Sequence, residues 1–338
     1  KTFHPIVIPY SMLNIRTTLL AFFALVAGLN VQAQTGNSTI FRFLEVTPSA
    51  RLAALGGNHT GIFNPQADAF YLNPAYLQPH HSKEVSATFV NQLYDVRMGL
   101  ATSAFDLPKI GTIGVGIRYT GYGEMSEFDE NGTELGSFNA GDLALRAGLS
   151  TQLSEKLSAG AAADYIYSSY SLYRSSAFAL SGGIYFKNPE KKFSMGLAVR
   201  NLGDQFSYYN QTREELPFDV SLGFSKKPEN FPFQINFTLT RLNDWDLRVV
   251  GEDEQPAFLR NLSRHVIIGG EAPLGKALIL RLGYNRYLHE QTRTDRAIEL
   301  AGASIGLGIK VKGLVIDLSR SSYSQTGGLV QLSVRTNL

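Results

Sequence analysis

Gly302-Ala303-Ser304-Ile305-Gly306 has the glycine-x-serine-x-glycine spacing of a nucleophile elbow. There a strained strand-to-helix turn lifts a serine hydroxyl out of the sheet. Here the flanking residues alternate apolar and small, so Ser304 reads as a small residue inside a strand, with no helix after it. The chain has no serine three residues before a lysine, so the serine–lysine pair of penicillin-binding enzymes has no starting point. His80 and His81 are adjacent, which does not converge two imidazoles on one ion; with His59 they suit a solvated turn better than a metal site. Glu124, Glu127, Asp129, Glu130 and Glu134 would offer hard oxygens to calcium, yet Asn131-Gly132 among them is what a hairpin tip requires. The acidic run Glu252–Glu254 reads as a solvated loop. Asp204, Asp219 and Asp317 are candidate lumen or rim carboxylates that the sequence gives no histidine or serine to work with. No catalytic residue, metal ligand or cofactor site is assigned, and an enzyme is not expected.

The chain that must carry these residues is unusual in composition. Charged residues make up 18% of it, against about 25% in an average soluble domain. It has no cysteine, which excludes disulfides, thiol catalysis and iron–sulfur clusters. A net charge of +2 without a basic tract gives no argument for nucleic acid. Met12 to Arg16, the apolar run Leu19–Leu29 and Val31-Gln32-Ala33 have the three parts of a secretory signal peptide over residues 12–33. Residues 1–11 precede that methionine and read as an upstream extension of the gene.

From residue 85 to 338 the sequence alternates persistently. Ile113, Val115, Ile117 and Tyr119 face one way; Thr112, Gly114, Gly116 and Arg118 face the other. The same scheme recurs around residues 198, 237, 282, 305, 318 and 332. The minor face is Gly, Ser, Thr and Asn, punctuated by Arg118, Arg146, Arg200, Arg281, Lys310, Asp317 and Arg335. An apolar face opposite a small polar one is the lipid-out, lumen-in pattern of an outer-membrane barrel. About fourteen antiparallel strands are expected, centred near residues 89, 100, 117, 146, 163, 181, 198, 222, 237, 268, 282, 305, 318 and 332. Short lysine-bearing links alternate with longer ones at 121–139, 168–175, 201–217, 241–264, 286–299 and 321–327. That asymmetry sets short turns and both termini in the periplasm and long loops outside. Phe206, Tyr208, Tyr209 and Arg213, with Trp245, Asp246 and Arg248, mix aromatics and charge on two of those loops. They suit an interfacial aromatic belt and a partner surface equally.

Residues 34–84 precede the first strand and are rich in small residues, glycine and proline. Gly56-Gly57 and Asn73-Pro74 supply chain reversals, so the segment is expected to enter from the periplasmic side and plug the lumen.

"PSARLAALGG" (Pro48, Ala50, Arg51, Leu55, Gly56 and Gly57 among its residues), followed by "NPAYL" (Asn73, Pro74, Ala75), resembles the PorV/PorQ branch of the FadL-like outer-membrane barrels. This is the branch found in the type IX secretion system of Bacteroidota. "FVNQLYDVRMGLA", "VRNLGDQFSYYN", "LTRLNDWDL" and "RHVIIGGE" resemble its PorQ-like members in particular, and the resemblance covers nearly the whole chain after the leader. It implies a non-enzymatic role in the cell-surface attachment complex, in outer-membrane lipid and lipopolysaccharide. The chain would anchor a PorZ-like surface protein, together with PorU and PorV-like components, so that cargo is processed and attached to lipopolysaccharide. A FadL-like channel for hydrophobic solutes is the alternative.

Overall fold

The computed structural model describes residues 39–338, apart from 93–94, 211, 250, 293–299 and 324–326. The expected leader and the extension before it lie outside the described residues.

Among the described residues, alternation becomes fourteen antiparallel strands. They are β1 (Glu84–Asn91), β2 (Arg97–Leu107), β3 (Gly111–Phe128), β4 (Glu134–Ser154), β5 (Leu157–Tyr170), β6 (Tyr173–Asn188) and β7 (Phe193–Ser207). After these come β8 (Asp219–Lys226), β9 (Gln234–Leu239), β10 (Val266–Leu274), β11 (Leu278–Asn285), β12 (Ala303–Val311), β13 (Leu314–Ser322) and β14 (Gly328–Asn337). Each strand pairs with its sequence neighbours, and β14 returns to β1 in the register Phe89–Leu332, closing a barrel. All fourteen expected centres fall inside strands.

The wall is inside-out relative to a soluble protein. Ser86, Thr88, Arg118, Arg146, Ser319 and Ser333 are buried, whereas Val115, Ile117, Tyr119, Leu282, Ile305, Leu307 and Leu332 are exposed. A closed ladder satisfies every wall N–H and C=O without water, which lets an apolar outer face meet lipid. No helix among the described residues is long and apolar enough to cross a membrane.

The wall is not of even height. β3 to β7 run from 14 to 21 residues, whereas β8 and β9 have 8 and 6. The links expected at 121–139 and 168–175 are therefore mostly strand, because backbone pairing continues past the apolar band. Two short helices, α2 (Phe258–Arg264) and α3 (Arg286–Thr292), lie at the long-loop end, with α1 (Ala50–Ala54) inside the barrel.

Residues 39–83 run along the lumen. Ile40 N donates to Glu215 O at 3.0 Å at the long-loop end, and Lys83 N to Ala104 O at 2.8 Å at the short-turn end. Leu338 N donates to Lys83 O at 3.0 Å, so the last residue also lies at the short-turn end. The described part of the inner segment thus starts at the long-loop end, not at the short-turn end where entry was expected. Its core is its own: Leu52, Leu55, Ile62, Leu72 and Tyr76 pack together and against Tyr185 of β6.

Candidate functional site

The lumen wall and the inner segment meet through buried polar groups. Arg51, on α1, donates from Nη2 to Glu271 Oε1 at 2.5 Å and from Nε to Oε2 at 3.1 Å. Glu271 on β10 also accepts from Arg281 Nε at 3.2 Å, and Arg281 Nη1 donates to Asp317 at 2.7 Å. Charges alternate along this row, as burial demands, since a lone buried charge is far costlier than a paired one. Ala50 N adds a bond to Ser333 Oγ at 2.8 Å.

The second joint is Asn73-Pro74-Ala75. Asn73 Oδ1 accepts from Ala75 N at 3.0 Å, and its Nδ2 donates to Ile184 O of β6 at 3.1 Å. Ser158 Oγ, on β5, donates to Ala75 O at 2.7 Å. Gly56 and Gly57 take φ of 99° and 133°, a region that favours glycine. A Cβ at Gly283 of β11 would overlap the Gly56 nitrogen, so that wall glycine sets the depth to which the chain reversal sinks. Pro48 and Leu55 are buried beside these joints as apolar side chains, and the Leu55 carbonyl accepts from His59. The motif residues thus hold one piece of the molecule to another.

Toward the long-loop end the interior turns apolar. Ile40, Phe41 and Phe43 pack among Val90, Met98, Leu100, Ile166, Leu216 and Leu329. Arg118 Nη1 donates to Phe43 O at 2.8 Å, its guanidinium lying 4.8 Å from the Tyr71 ring centre. Arg146 faces Asp164 at 3.3 Å, an ion pair without hydrogen-bond alignment.

The seven aromatic and charged residues expected to mark a surface do not form one cluster. Phe206 lies on the outer wall, 6.2 Å from Tyr165, with Tyr208 partly exposed after it. Tyr209 turns inward and bonds Ser168. Arg213 forms a two-pronged bond to Asp204, at 2.5 and 3.0 Å. Trp245 stacks on His265 with centres 4.8 Å apart and planes 15° from parallel, while Arg248 reaches Asp246 at 3.1 Å.

What knits the 241–264 loop is a group that sequence reasoning passed over. Arg264, fully buried, donates to Glu252 at 2.7 Å from two nitrogens, to Glu290 Oε2 at 2.7 Å from Nε, and to Leu247 O at 2.7 Å. The run Glu252–Glu254 is therefore not simply solvated: its first residue is a loop anchor, because Arg264 comes from a helix that local charge pattern cannot place. Hydrogen bonds from Arg264 hold Glu252 down at about 2. Burial opposes ionisation of Glu290, but Arg264 keeps it below the usual glutamate value, and the two carboxylates raise Arg264 in return.

The remaining candidates take structural places. Ser304 Oγ donates to Ser321 Oγ at 3.0 Å within the β12–β13 ladder. Asp129 Oδ1 accepts from Asn131 N at 2.9 Å and Thr133 N at 2.8 Å, and Gly132 has φ 82°, so this acidic stretch forms a hairpin tip. His59 uses both ring nitrogens, on Thr238 and Leu55 O; His81 uses both, on Gln78 N and Pro65 O. They pin the inner segment rather than sit in a solvated turn. Asp219 is paired with Arg200 at 2.7 Å and accepts from Thr240 at 2.9 Å. With Asp204 on Arg213 and Asp317 on Arg281, all three candidate carboxylates have cationic partners.

No protein-family model matches the chain, and no curated protein matches it. Solved structures do. The Pseudomonas putida toluene transporter TodX aligns over 86% of this chain and 96% of its own, at 12% identity and a TM-score of 0.51. The CymD monoaromatic hydrocarbon channel aligns over 87% and 98%, at 13% identity and a TM-score of 0.53. A TodX channel mutant, deltaS2S3, aligns over 86% and 99%, at 13% identity and a TM-score of 0.53. These neighbours are channels and a transporter for aromatic hydrocarbons, and what this chain shares with them is the fold.

Proposed function

We propose that the chain is a closed outer-membrane scaffold of FadL-like fold: the PorQ-like member of a type IX attachment complex, holding a PorZ-like protein at the surface alongside PorU and PorV-like components. The observation that carries this is the lumen. Residues 39–83 run along it between its two ends, tied by the Arg51–Glu271–Arg281–Asp317 row and by Asn73. In this reading the segment plugs the bore, the short-turn end is periplasmic, and the long-loop end, with Trp245, Phe258 and Leu259 exposed, faces the partner and lipopolysaccharide. Aromatic anchors on a rigid base are what protein interfaces use.

A second reading has more direct support from the fold comparisons: a channel for hydrophobic solutes, as TodX and CymD are. The apolar cluster around Phe41 and Phe43 inside the long-loop end also favours it. One experiment separates the two. In a clean deletion strain, loss of processed, lipopolysaccharide-attached cargo from the surface, restored by complementation, supports the scaffold. Normal cargo with slowed uptake of a hydrophobic nutrient returns the chain to the channels.

A further inference from the structure

The β3–β4 hairpin outruns the wall on both sides. Pairing of β2 with β3 reaches its last row at Arg97–Gly121, and pairing of β5 with β4 at Ala140–Tyr170. Beyond those rows β3 and β4 go on pairing with each other, from Glu124–Asn139 to Phe128–Glu134. The outer edges of this ribbon have no strand partner among the described residues. At about 3.3 Å per residue, Gly121–Phe128 carry the tip roughly 20–25 Å past the neighbouring strands. Phe138 packs edge-on against Tyr170 at 4.9 Å, bracing the ribbon at its root.

An unpaired strand edge is a template for another strand, and proteins usually blunt one with lysine or proline. Residues 121–141 contain neither, nor any arginine. They carry five carboxylates (Glu124, Glu127, Asp129, Glu130 and Glu134), and Phe128 and Leu135 are 59% and 64% exposed. That charge selects the occupant. A phosphate-bearing lipid surface repels the ribbon, nucleic acid does too, and a second copy would bring five more carboxylates to the same edge. A protein strand bearing lysine or arginine meets the charge, the open backbone edge and the two apolar side chains together.

We propose that the free edge of β4 over Glu134–Asn139 is a docking site for a basic β-strand of a partner protein. This rests on the scaffold reading and adds to it a second contact, five strands around the wall from the low β8–β9 side.

The first test uses the whole chain in detergent micelles and two synthetic octapeptides, one alternating lysine with valine, the other glutamate with valine. Hydrogen exchange over 121–141 is followed by mass spectrometry. The lysine peptide slows exchange of the β4-edge amides at least tenfold and the glutamate peptide leaves it unchanged; the double variant Glu127→Lys/Glu130→Lys loses that protection. No protection by the lysine peptide, or equal protection by both, overturns the proposal. In cells, a variant with residues 124–138 replaced by Asn-Gly, checked for folding by its heat-modifiable mobility on gels, loses surface-attached cargo. Normal attachment in that variant, with loss in the full deletion, overturns the ribbon's role and leaves the scaffold standing. Normal attachment in the full deletion overturns the scaffold instead, and the peptide experiment still decides the edge.

Discussion

Arg51 and Glu271 are 220 residues apart and face each other across the lumen in a two-pronged pair, Nη2–Oε1 2.5 Å and Nε–Oε2 3.1 Å. This pair makes the inner segment part of the wall. Arg51→Met leaves Glu271 buried with Arg281 as its remaining cation, and breaking a buried pair from one side costs about 3 kcal/mol. The midpoint of urea unfolding in detergent should fall accordingly, with earlier proteolysis of residues 39–83. Adding Glu271→Gln removes the orphaned charge and restores part of the loss. If Arg51→Met unfolds at the wild-type midpoint, the pair contributes no net stability.

A chain reversal seated against a wall glycine gives a sharper handle on whether the bore is closed. Gly283→Val places side-chain atoms where Gly56 and Leu55 now lie, forcing the inner segment outward while the β10–β11 and β11–β12 ladders remain. Planar-bilayer recordings should then show ion conductance well above that of the wild type, from a barrel that still migrates as folded on gels. Wild-type conductance in a folded Gly283→Val barrel would mean that something other than the seating of this reversal closes the lumen.

Asn73 ties its own turn to β6 with one amide, so its truncation should be felt beyond that turn. Asn73→Ala removes the acceptor for Ala75 N and the donor to Ile184 O, at about 1 kcal/mol for each bond. A loss of roughly 2 kcal/mol in unfolding free energy, with no change in strand content by infrared spectroscopy, is the expected result. Loss of strand content would instead make Asn73 a requirement for closing the barrel.

The strands were legible because an exposed apolar face opposite a buried small and polar one leaves the period-two pattern unbroken: Ile113–Tyr119 and Ile305–Ile309 announce themselves. Even Arg118 and Arg281 could be placed on the inner face by parity alone. What parity could not give was partnership. Arg51 with Glu271, and Arg264 with Glu252 and Glu290, pair across long sequence separations, and nothing local to Glu252 distinguishes an anchor from a solvated acid. The height of β3 and β4 was missed for a related reason. Past Tyr119 the outward residues turn polar, which reads as loop although the ladder continues.

The Arg264 group predicts an acid-sensitive loop in an otherwise stable barrel. Glu252 titrates at about 2 in the folded loop against an ordinary 4.5, and Glu290 is displaced in the same direction. A depressed folded-state value means that the ionised pairing stabilises the loop above the ordinary value, and that this is lost as pH falls from there through about 2. Arg264 stays charged throughout, so the carboxylates alone set the window. Trp245 is the only tryptophan, and it stacks on His265 next to the helix that carries Arg264. Its emission therefore reports the docked loop directly. Lowering the pH from 5 to 2 should shift that emission to the red while the barrel keeps its strand content. Glu252→Gln, already lacking one anchor charge, should show a smaller change from a redder start. A transition centred above pH 5 would assign the loop's stability to a different group.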